Sequence, residues 1–106
     1  MPESVDAIRA DPEHYEVLFE NDRVRALRIR FAPGERSRLH SHPESTLVFL
    51  TDGQVRFHLA DGGHLDVTFQ AGQARWVPPT THLPENTGSE PFELIQLEIR
   101  AASAGE

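Results

Sequence analysis

Cysteine and lysine are both absent from this sequence of 106 residues. Without cysteine the chain has no disulfide, no thiolate metal ligand and no thiol nucleophile, so histidine and carboxylate side chains must supply any metal site. Without lysine it cannot form a Schiff base with a carbonyl substrate. These two absences exclude several classes of enzyme before any motif is considered.

Long apolar runs and a basic surface are missing as well. No run approaches the ~18 apolar residues of a transmembrane helix, and residues 1–6 lack the basic start and apolar stretch of a signal peptide. The formal net charge of −7 argues against a nucleic-acid partner, because phosphate contacts need a basic surface. We therefore expect a cytoplasmic protein that binds neither membranes nor nucleic acids.

Helical periodicity is scarce. One short helix is expected over residues 4–11, with Ser4 as its N-cap and Asp11, before Pro12, as its end. From residue 15 to residue 100, short stretches of alternating apolar and polar residues recur about every eight to twelve residues. The pattern predicts an all-β sandwich or barrel in a single domain over 1–106. Its barrel core covers roughly residues 15–100, and residues 101–106 are expected to be a flexible tail.

Turn signals connect the expected strands. Asp52-Gly53 predicts a type I′ hairpin and Asp61-Gly62-Gly63 a second turn, so the strands between residues 45 and 69 are expected to form an antiparallel meander. Leu47 to Leu50 form a continuous apolar run, which predicts a strand covered on both faces. Together with the apolar face of the last strand at Ile95, Leu97 and Ile99, this exceeds what one small barrel buries, so we expect a homodimer.

Histidine is the residue type best placed for chemistry. His40 and His42 stand two residues apart, so on an extended strand both imidazoles project from the same face. His82 follows forty residues after His42 in a proline-rich stretch that predicts a loop on the rim of the barrel. Three imidazoles on one face would suit a divalent ion such as Fe, Zn, Ni, Mn or Cu.

These histidines lie in two segments that resemble the sequence motifs of the cupins. The first motif is matched by Gly34, His40, His42 and Gly53, and the second by Gly72, Pro78, His82 and Asn86. Thr46 stands where the first motif has a glutamate, Thr80 replaces a glycine of the second, and the loop before His82 is one residue short. From Ala71 to Gly88 the chain also resembles small bacterial cupins linked to β-alanine degradation.

The resemblance covers roughly residues 30–100 and implies a double-stranded β-helix, or jelly-roll barrel. It also implies one divalent metal ion in the barrel mouth, held by His40, His42 and His82. With Thr46 in place of glutamate, we expect the ligands to be three neutral imidazoles plus water or substrate. The metal charge would then be uncompensated and would favour an anionic small-molecule ligand.

Several other residues are weighed as parts of this site. Glu44 is considered as a fourth ligand but is expected to face solvent after Pro43, and Glu85 is considered as a rim residue near the ligands. Arg75 would bind a carboxylate, while Trp76 would pack against substrate or serve core or dimer packing. The candidates for the pocket wall are Thr46, Arg75, Trp76 and Gln96.

For function, the resemblance implies a metal-dependent, dioxygenase-like enzyme acting on a small organic acid or diketone. Dioxygenase is the leading class because three-histidine cupin sites bind iron and leave positions for substrate and O2. No residue stands out as a general acid or base. Two alternatives stay open: a non-catalytic module that binds metal or a small effector, and a metal-free isomerase or carbohydrate-binding cupin.

His14, His58 and His64 have no partner pattern and are expected to be surface or structural residues.

Overall fold

The structure, a computed structural model, describes residues 5–100. One short helix is followed by nine strands, and Ser4 and residues 101–106 lie outside the described part. The elements are α1 (Ala7–Ala10), β1 (Tyr15–Glu20), β2 (Val24–Phe31), β3 (His40–His42), β4 (Ser45–Phe49), β5 (Gly53–Leu59), β6 (His64–Phe69), β7 (Ala74–Val77), β8 (Thr80–Asn86) and β9 (Phe92–Ile99).

The strands form two antiparallel sheets. The first has the order β1-β2-β9-β4-β7 and the second the order β3-β8-β5-β6. Alternation along β2 explains how one face is buried, since Leu27, Ile29 and Phe31 are buried while Arg28 and Arg30 are not. The core draws on both sheets and includes Leu27, Ile29, Phe31, Leu47, Phe49, Val55, Phe69, Phe92 and Leu94. This confirms the prediction of an all-β jelly roll.

The helix is shorter than predicted. It begins after Asp6, whose carboxylate accepts a hydrogen bond from the backbone N–H of Ile8 at 3.1 Å, and it ends at Asp11. An aspartate N-cap satisfies amide groups that have no partner in the first turn. The helix packs against β1 and β3, where Ala7 is fully buried.

The meander predicted between residues 45 and 69 is wrong at its first turn. β4 pairs with β7 and β9, whereas β5 pairs with β6 and β8 in the other sheet. Asp52-Gly53 is therefore a crossing between sheets and not a hairpin, and neither residue has a positive φ. A Cβ on Gly53 would lie 2.5 Å from Phe69 Cζ and 2.9 Å from Phe92 Cβ. Glycine is needed here for close packing, not for turn geometry.

The other turn prediction, at Asp61-Gly62-Gly63, is confirmed, and a further tight turn lies at Asn21. β5 and β6 form a hairpin around residues 60–63, where Gly62 has a φ of 95°. β1 and β2 pair around Asn21, whose side-chain oxygen accepts hydrogen bonds from the N–H groups of Arg23 and Val24. Such an asparagine stabilises a tight connection.

The stretch around His82 is a strand and not a rim loop. β8 lies between β3 and β5, with Pro84 opposite Phe57 on one side. On the other side β3 pairs only with Thr80 to His82, and beyond it the N–H of Ser37 donates to the carbonyl of Pro84 at 2.9 Å. Proline is tolerated at position 84 because the regular ladder between β3 and β8 ends at His82.

The five-stranded sheet has an outer face that carries apolar side chains. Register aligns one row across all five strands, which we call the outer row: Phe19, Ala26, Leu97, Thr46 and Trp76. Phe19 and Trp76 are more than half exposed. Val48 is only half-buried and Leu50 is exposed, so the run from Leu47 to Leu50 is not covered on both faces within one chain.

Within residues 5–100, the structure has no helix long and apolar enough to cross a membrane.

Candidate metal centre

The three histidines of the motifs come together on two neighbouring strands. His40 lies directly opposite His82 in the pairing of β3 with β8, and His42 is two residues further along β3 on the same face. Each offers a ring nitrogen, and these atoms all lie within 4.8 Å of one another. The three ring centroids are 4.7, 4.9 and 5.3 Å apart. Strand spacing and strand pairing together build this imidazole cluster.

Two of the three Nε2 atoms have no hydrogen-bond partner within residues 5–100. The Nε2 atoms of His42 and His82 are buried and make no hydrogen bond to any described residue. A buried polar atom without a partner is costly and calls for an explanation. Since the free nitrogens converge and imidazole is a common ligand, the residues fit a divalent metal ion.

The opposite ring nitrogens are held by acceptors. His42 Nδ1 lies 2.6 Å from Glu98 Oε2, and His40 Nδ1 lies 2.8 Å from the carbonyl oxygen of Arg38. Both oxygens accept, so each Nδ1 carries the proton and each Nε2 presents a lone pair to the cluster. This is the arrangement that orients histidine ligands in metal sites.

Burial keeps the His40 and His82 rings of the cluster neutral. It lowers the pKa of His40 to about 4, with the neighbouring His42 adding to the effect. Burial also holds the pKa of His82 well below its ordinary range, again with help from the other two imidazoles. Two of the three rings are therefore unprotonated at neutral pH and need lose no proton to bind a cation.

Glu98 connects the cluster to a chain of charges. One carboxylate oxygen accepts from His42, and the other accepts from Arg25 Nε at 2.7 Å. Arg25 in turn pairs with Asp6, the cap of α1. Sequence reasoning missed Glu98, although its position two residues after Gln96 on the same face of β9 was a usable signal. Its negative charge lies next to the cluster and would partly offset the charge of a bound metal ion, which was expected to be uncompensated.

Tyr15 is a second residue that the sequence did not indicate. Its buried hydroxyl lies 3.1 Å from His40 Nε2, and because Nδ1 of that ring holds the proton, the hydroxyl donates to Nε2. Burial raises the pKa of Tyr15 well above its ordinary value, so the hydroxyl stays protonated. Tyr15 and a metal ion would compete for the same nitrogen.

A cavity of about 250 Å³ lies between the sheets beside the cluster. His82, Tyr15 and Gln96 line it, together with a wall of apolar side chains. Phe57 stacks on the His82 ring at a centroid distance of 4.8 Å and fixes its plane. The cluster thus lies at the inner end of a pocket large enough for a small molecule.

Thr46 lies outside this cavity, contrary to its expected place in the pocket. Along β4 the buried residues Ser45, Leu47 and Phe49 face inward, so Thr46 faces outward between Trp76 and Leu97. The motif glutamate can follow the second histidine after three or four residues, and the four-residue spacing selects Leu47, which lines the cavity. Neither position supplies a carboxylate, so the expectation of a three-imidazole cluster is unchanged.

The other pocket candidates divide between the two faces. Arg75 lines the cavity opposite Leu47, and Gln96 is buried in its wall with Nε2 donating to Ser45 Oγ at 3.0 Å. Trp76 lies on the outer face, 58% exposed, so it neither contacts the cavity nor belongs to the core. Its position on β7 next to Arg75 forces it to the opposite face.

Glu44 and Glu85, which were considered as parts of the site, also lie away from the cluster. Glu44 accepts a hydrogen bond from Trp76 Nε1 at 2.7 Å on the outer surface. Glu85 accepts from His58 Nε2 at 2.8 Å on the outside of the second sheet. Both interactions are local surface contacts and hold no cluster residue.

The remaining histidines serve structure or surface. His14 stacks on Phe31 at a centroid distance of 4.2 Å, with its ring nitrogens bonded to Asp11 and Glu35. His58 is half-buried beside Glu85, and His64 is exposed. None of the three belongs to the imidazole cluster.

Two facing antiparallel sheets with a histidine cluster at the inner end of the pocket define the class of small β-sandwich proteins with a candidate metal site. Residues 27–99 match the cupin domain family, and the chain belongs to that family. No protein of curated function matches the sequence significantly.

Solved structures share the fold. A cupin domain from Bordetella pertussis Tohama I is 23% identical, with 95% of this chain and 100% of that chain covered and a TM-score of 0.76. A protein with a double-stranded β-helix domain from Klebsiella pneumoniae subsp. pneumoniae MGH 78578 is 22% identical, with 93% and 87% covered and a TM-score of 0.64. A cupin family protein from Methanocaldococcus jannaschii is 19% identical, with 81% and 78% covered and a TM-score of 0.64. At these identities the likeness concerns the fold alone.

Proposed function

We propose that this cupin holds one divalent metal ion through His40, His42 and His82 and uses it as a cytoplasmic, dioxygenase-like enzyme on a small organic acid or diketone. The observation that carries the proposal is the pair of buried, unpartnered Nε2 atoms of His42 and His82, which converge with His40. Orphaned buried acceptors of this kind are readily explained as metal ligands.

When bound, a divalent ion would polarise an oxygen atom of the substrate as a Lewis acid. The chain's own residues orient the ligands: Glu98 holds the proton on His42 Nδ1, and the Arg38 carbonyl holds it on His40 Nδ1. The apolar wall excludes water and so strengthens electrostatic interactions at the inner end of the cavity. Tyr15 contributes a protonated hydroxyl at that end.

A non-catalytic binding module is the second candidate. It is favoured by the absence of a carboxylate from the imidazole cluster, because none of its three described members is a carboxylate base. In that case the metal and pocket would retain a small effector without turnover. A metal-free isomerase or carbohydrate-binding cupin is disfavoured by the orphaned nitrogens and the apolar wall.

We also propose a homodimer formed through the outer face of the five-stranded sheet. The outer row presents Phe19, Leu97 and Trp76, flanked by Ile95 and Val48 on neighbouring strands. An exposed apolar sheet face favours association, and a second copy supplies a surface of the same composition.

The first experiment measures metal in protein produced without added metal. Elemental analysis of wild type should find about one divalent ion per chain. The double variant His40→Ala/His42→Ala should retain none while keeping a β-rich circular dichroism spectrum. His58→Ala/His64→Ala is the matched control, because it removes two imidazoles outside the cluster and should keep the metal. Full occupancy in the cluster variant contradicts the assignment.

Oxygen consumption then separates the two functional candidates. Metal-loaded wild type is assayed with carboxylates and β-diketones in an oxygen electrode. Uptake that depends on substrate and is lost in the cluster variant supports the dioxygenase. Tight ligand binding without oxygen uptake supports the binding module instead.

A further inference from the structure

The cavity wall is more apolar than a ligand that is only a small anion would need. Of the twenty described residues that line the cavity, fifteen are aliphatic, aromatic or proline. The polar ones are Tyr15, Arg75, Thr80, His82 and Gln96. A formate-sized or acetate-sized ligand would engage the cluster and leave the apolar wall facing water, which has few partners there.

The volume of the cavity limits the size of the ligand that can fill it. An apolar cavity of about 150 Å³ suffices to bind benzene, and this cavity measures about 250 Å³. At about 30 Å³ for each water-sized group, it has room for roughly eight such groups. The cavity therefore has room for a ligand larger than a benzene ring or a two-carbon acid.

Exposure along the wall shows how the cavity is oriented. The exposed lining residues are Leu65 on β6, Arg75 on β7, and Pro78 and Pro79 after β7. β6 and β7 are edge strands of the two sheets, so the cavity opens between them. On the opposite side, where β1 and β3 are the edges, helix α1 packs against both. The imidazole cluster is at this closed side, because Tyr15 of β1 touches His40 of β3.

Between the closed side and the opening, the wall is continuous and apolar. Phe57 covers the His82 ring, and Leu65 is its strand partner nearer the opening. Val67 pairs with Val55 in the next row, and Leu47 and Leu94 face them from the other sheet. An extended or ring-shaped hydrocarbon would contact side chains of both sheets along this path.

We propose that the ligand is an organic acid or diketone with an apolar body of about six to eight carbons. Its oxygen atoms lie at the imidazole cluster, and its body extends along the wall towards the opening between β6 and β7. The position of the oxygen atoms rests on the proposed metal site, whereas the apolar body rests on the cavity alone. Each methylene added to the body removes further apolar surface from water.

Calorimetric titration with straight-chain carboxylates from acetate to octanoate tests the inference in Zn²⁺-loaded and metal-free protein. Affinity should rise about fourfold with each methylene, the factor that corresponds to about 0.8 kcal/mol. The rise should level off near eight carbons, when the cavity is filled. Acetate binding as tightly as hexanoate in both forms overturns the proposal.

A variant that fills the cavity gives an independent measurement. Val67→Phe places a ring in the wall and should weaken hexanoate binding at least tenfold while changing acetate binding little. Thr68→Phe is the matched control, because it adds the same ring to the outer face of the same strand and should bind like wild type. Equal hexanoate affinity in the two variants, both shown to be folded by thermal unfolding, also overturns the proposal.

The two forms of the protein distinguish the two ideas. If Zn²⁺ binds but chain length has no effect, the metal site stands and the apolar-bodied ligand is wrong. If no metal binds but the increase with chain length persists, the cavity assignment stands and the metal-dependent function is wrong.

Discussion

The two faces of β9 differ in a way that opposes simple hydrophobic sorting. The outer face carries Ile95, Leu97 and Ile99 after a single charged residue, Glu93, yet Ile99 is 37% exposed. The inner face is the one that contains a carboxylate and an amide, and all four of its residues are buried: Phe92, Leu94, Gln96 and Glu98.

The difference shows that a polar side chain of β9 can be buried when it has a hydrogen-bond or ion-pair partner. Gln96 reaches the Ser45 hydroxyl, and Glu98 bridges Arg25 and His42. A buried polar group that is fully bonded loses little on leaving water, whereas an unbonded one loses several kcal/mol. The inner face can therefore carry the polar groups that the site requires, whereas the outer face has apolar side chains that stay partly exposed.

The largest expected effect comes from Glu98→Leu. It leaves Arg25 with only Asp6 and leaves His42 Nδ1 without its acceptor, so unfolding free energy should fall by about 3–5 kcal/mol. Metal affinity should fall about 10–100-fold, because the ligand is no longer oriented. Urea unfolding and chelator competition measure the two.

Glu93→Leu is the control for this prediction. Glu93 lies on the outer face of the same strand and pairs with half-exposed Arg28. The Glu93→Leu variant should lose much less unfolding free energy than Glu98→Leu, and its metal affinity should not change. Equal losses in both variants would remove the distinction between the two faces.

The second expected effect is on the pH dependence of stability without metal. The folded pKa of His40 is about 4, below the ordinary value of 6.5. As pH falls from 6.5 towards 4, the unfolded chain takes up a proton that the folded chain does not, so stability decreases. The loss from His40 should be on the order of 3 kcal/mol.

The change is read as the difference between wild type and His40→Gln, which cancels the titration of carboxylates common to both. Urea unfolding in the presence of chelator, from pH 7.5 to 4, measures it. His82 should act in the same direction, because its pKa is also lowered. Parallel profiles for the two proteins would show that His40 is not held neutral by the fold.

A smaller effect is expected where the inner face meets the second sheet at Gly53. Gly53→Ala places a methyl group against Phe69 and Phe92, so the core must shift, at a cost of about 1–3 kcal/mol. Gly88→Ala is the control, because its nearest contact would be an ordinary 3.5 Å. Thermal unfolding compares them, and a neutral Gly53→Ala would contradict the close packing of Gly53 against Phe69 and Phe92.

The smallest effect on chain stability is expected on the outer face. Leu97→Asp puts a charge at the centre of the outer row, so the homodimer should dissociate while the melting temperature of the monomer changes little. Light scattering at micromolar concentration measures the mass. Thr68→Asp, on the outside of the other sheet, should leave the dimer intact. A monomeric wild type would end the proposal.

Much of the fold and of the imidazole cluster was predictable, because both depend on local pattern. Alternation in β2 marks its buried face, and the spacing of His40 and His42 puts both rings on one side of a strand. Position within the sheets was harder to predict. The period of a strand does not say which sheet it joins, so the sequence predicts a hairpin between β4 and β5 where the chain crosses from one sheet to the other.

The same limit explains the errors at single residues. A spacing of three or four residues after His42 changes the face of the strand, so the motif alone could not decide between Thr46 and Leu47. Glu98 was missed because its partner, His42, is 56 residues away in sequence and becomes its neighbour only through the sheet. Trp76 was placed in the pocket by chemistry rather than by strand parity.

The shortness of β3 has a consequence for how the site is assembled. This strand has only three residues and carries two of the three histidines. Its free edge is held by the N-terminal segment, since the N–H of Ser41 donates to the carbonyl of Val5 at 2.7 Å and Asp6 forms a bridge to Ser41. Docking of that segment and binding of a cation at the cluster are therefore linked equilibria. If docking of Val5 and Asp6 raises the affinity of the cluster for a cation, a bound cation must favour that docking by the same factor.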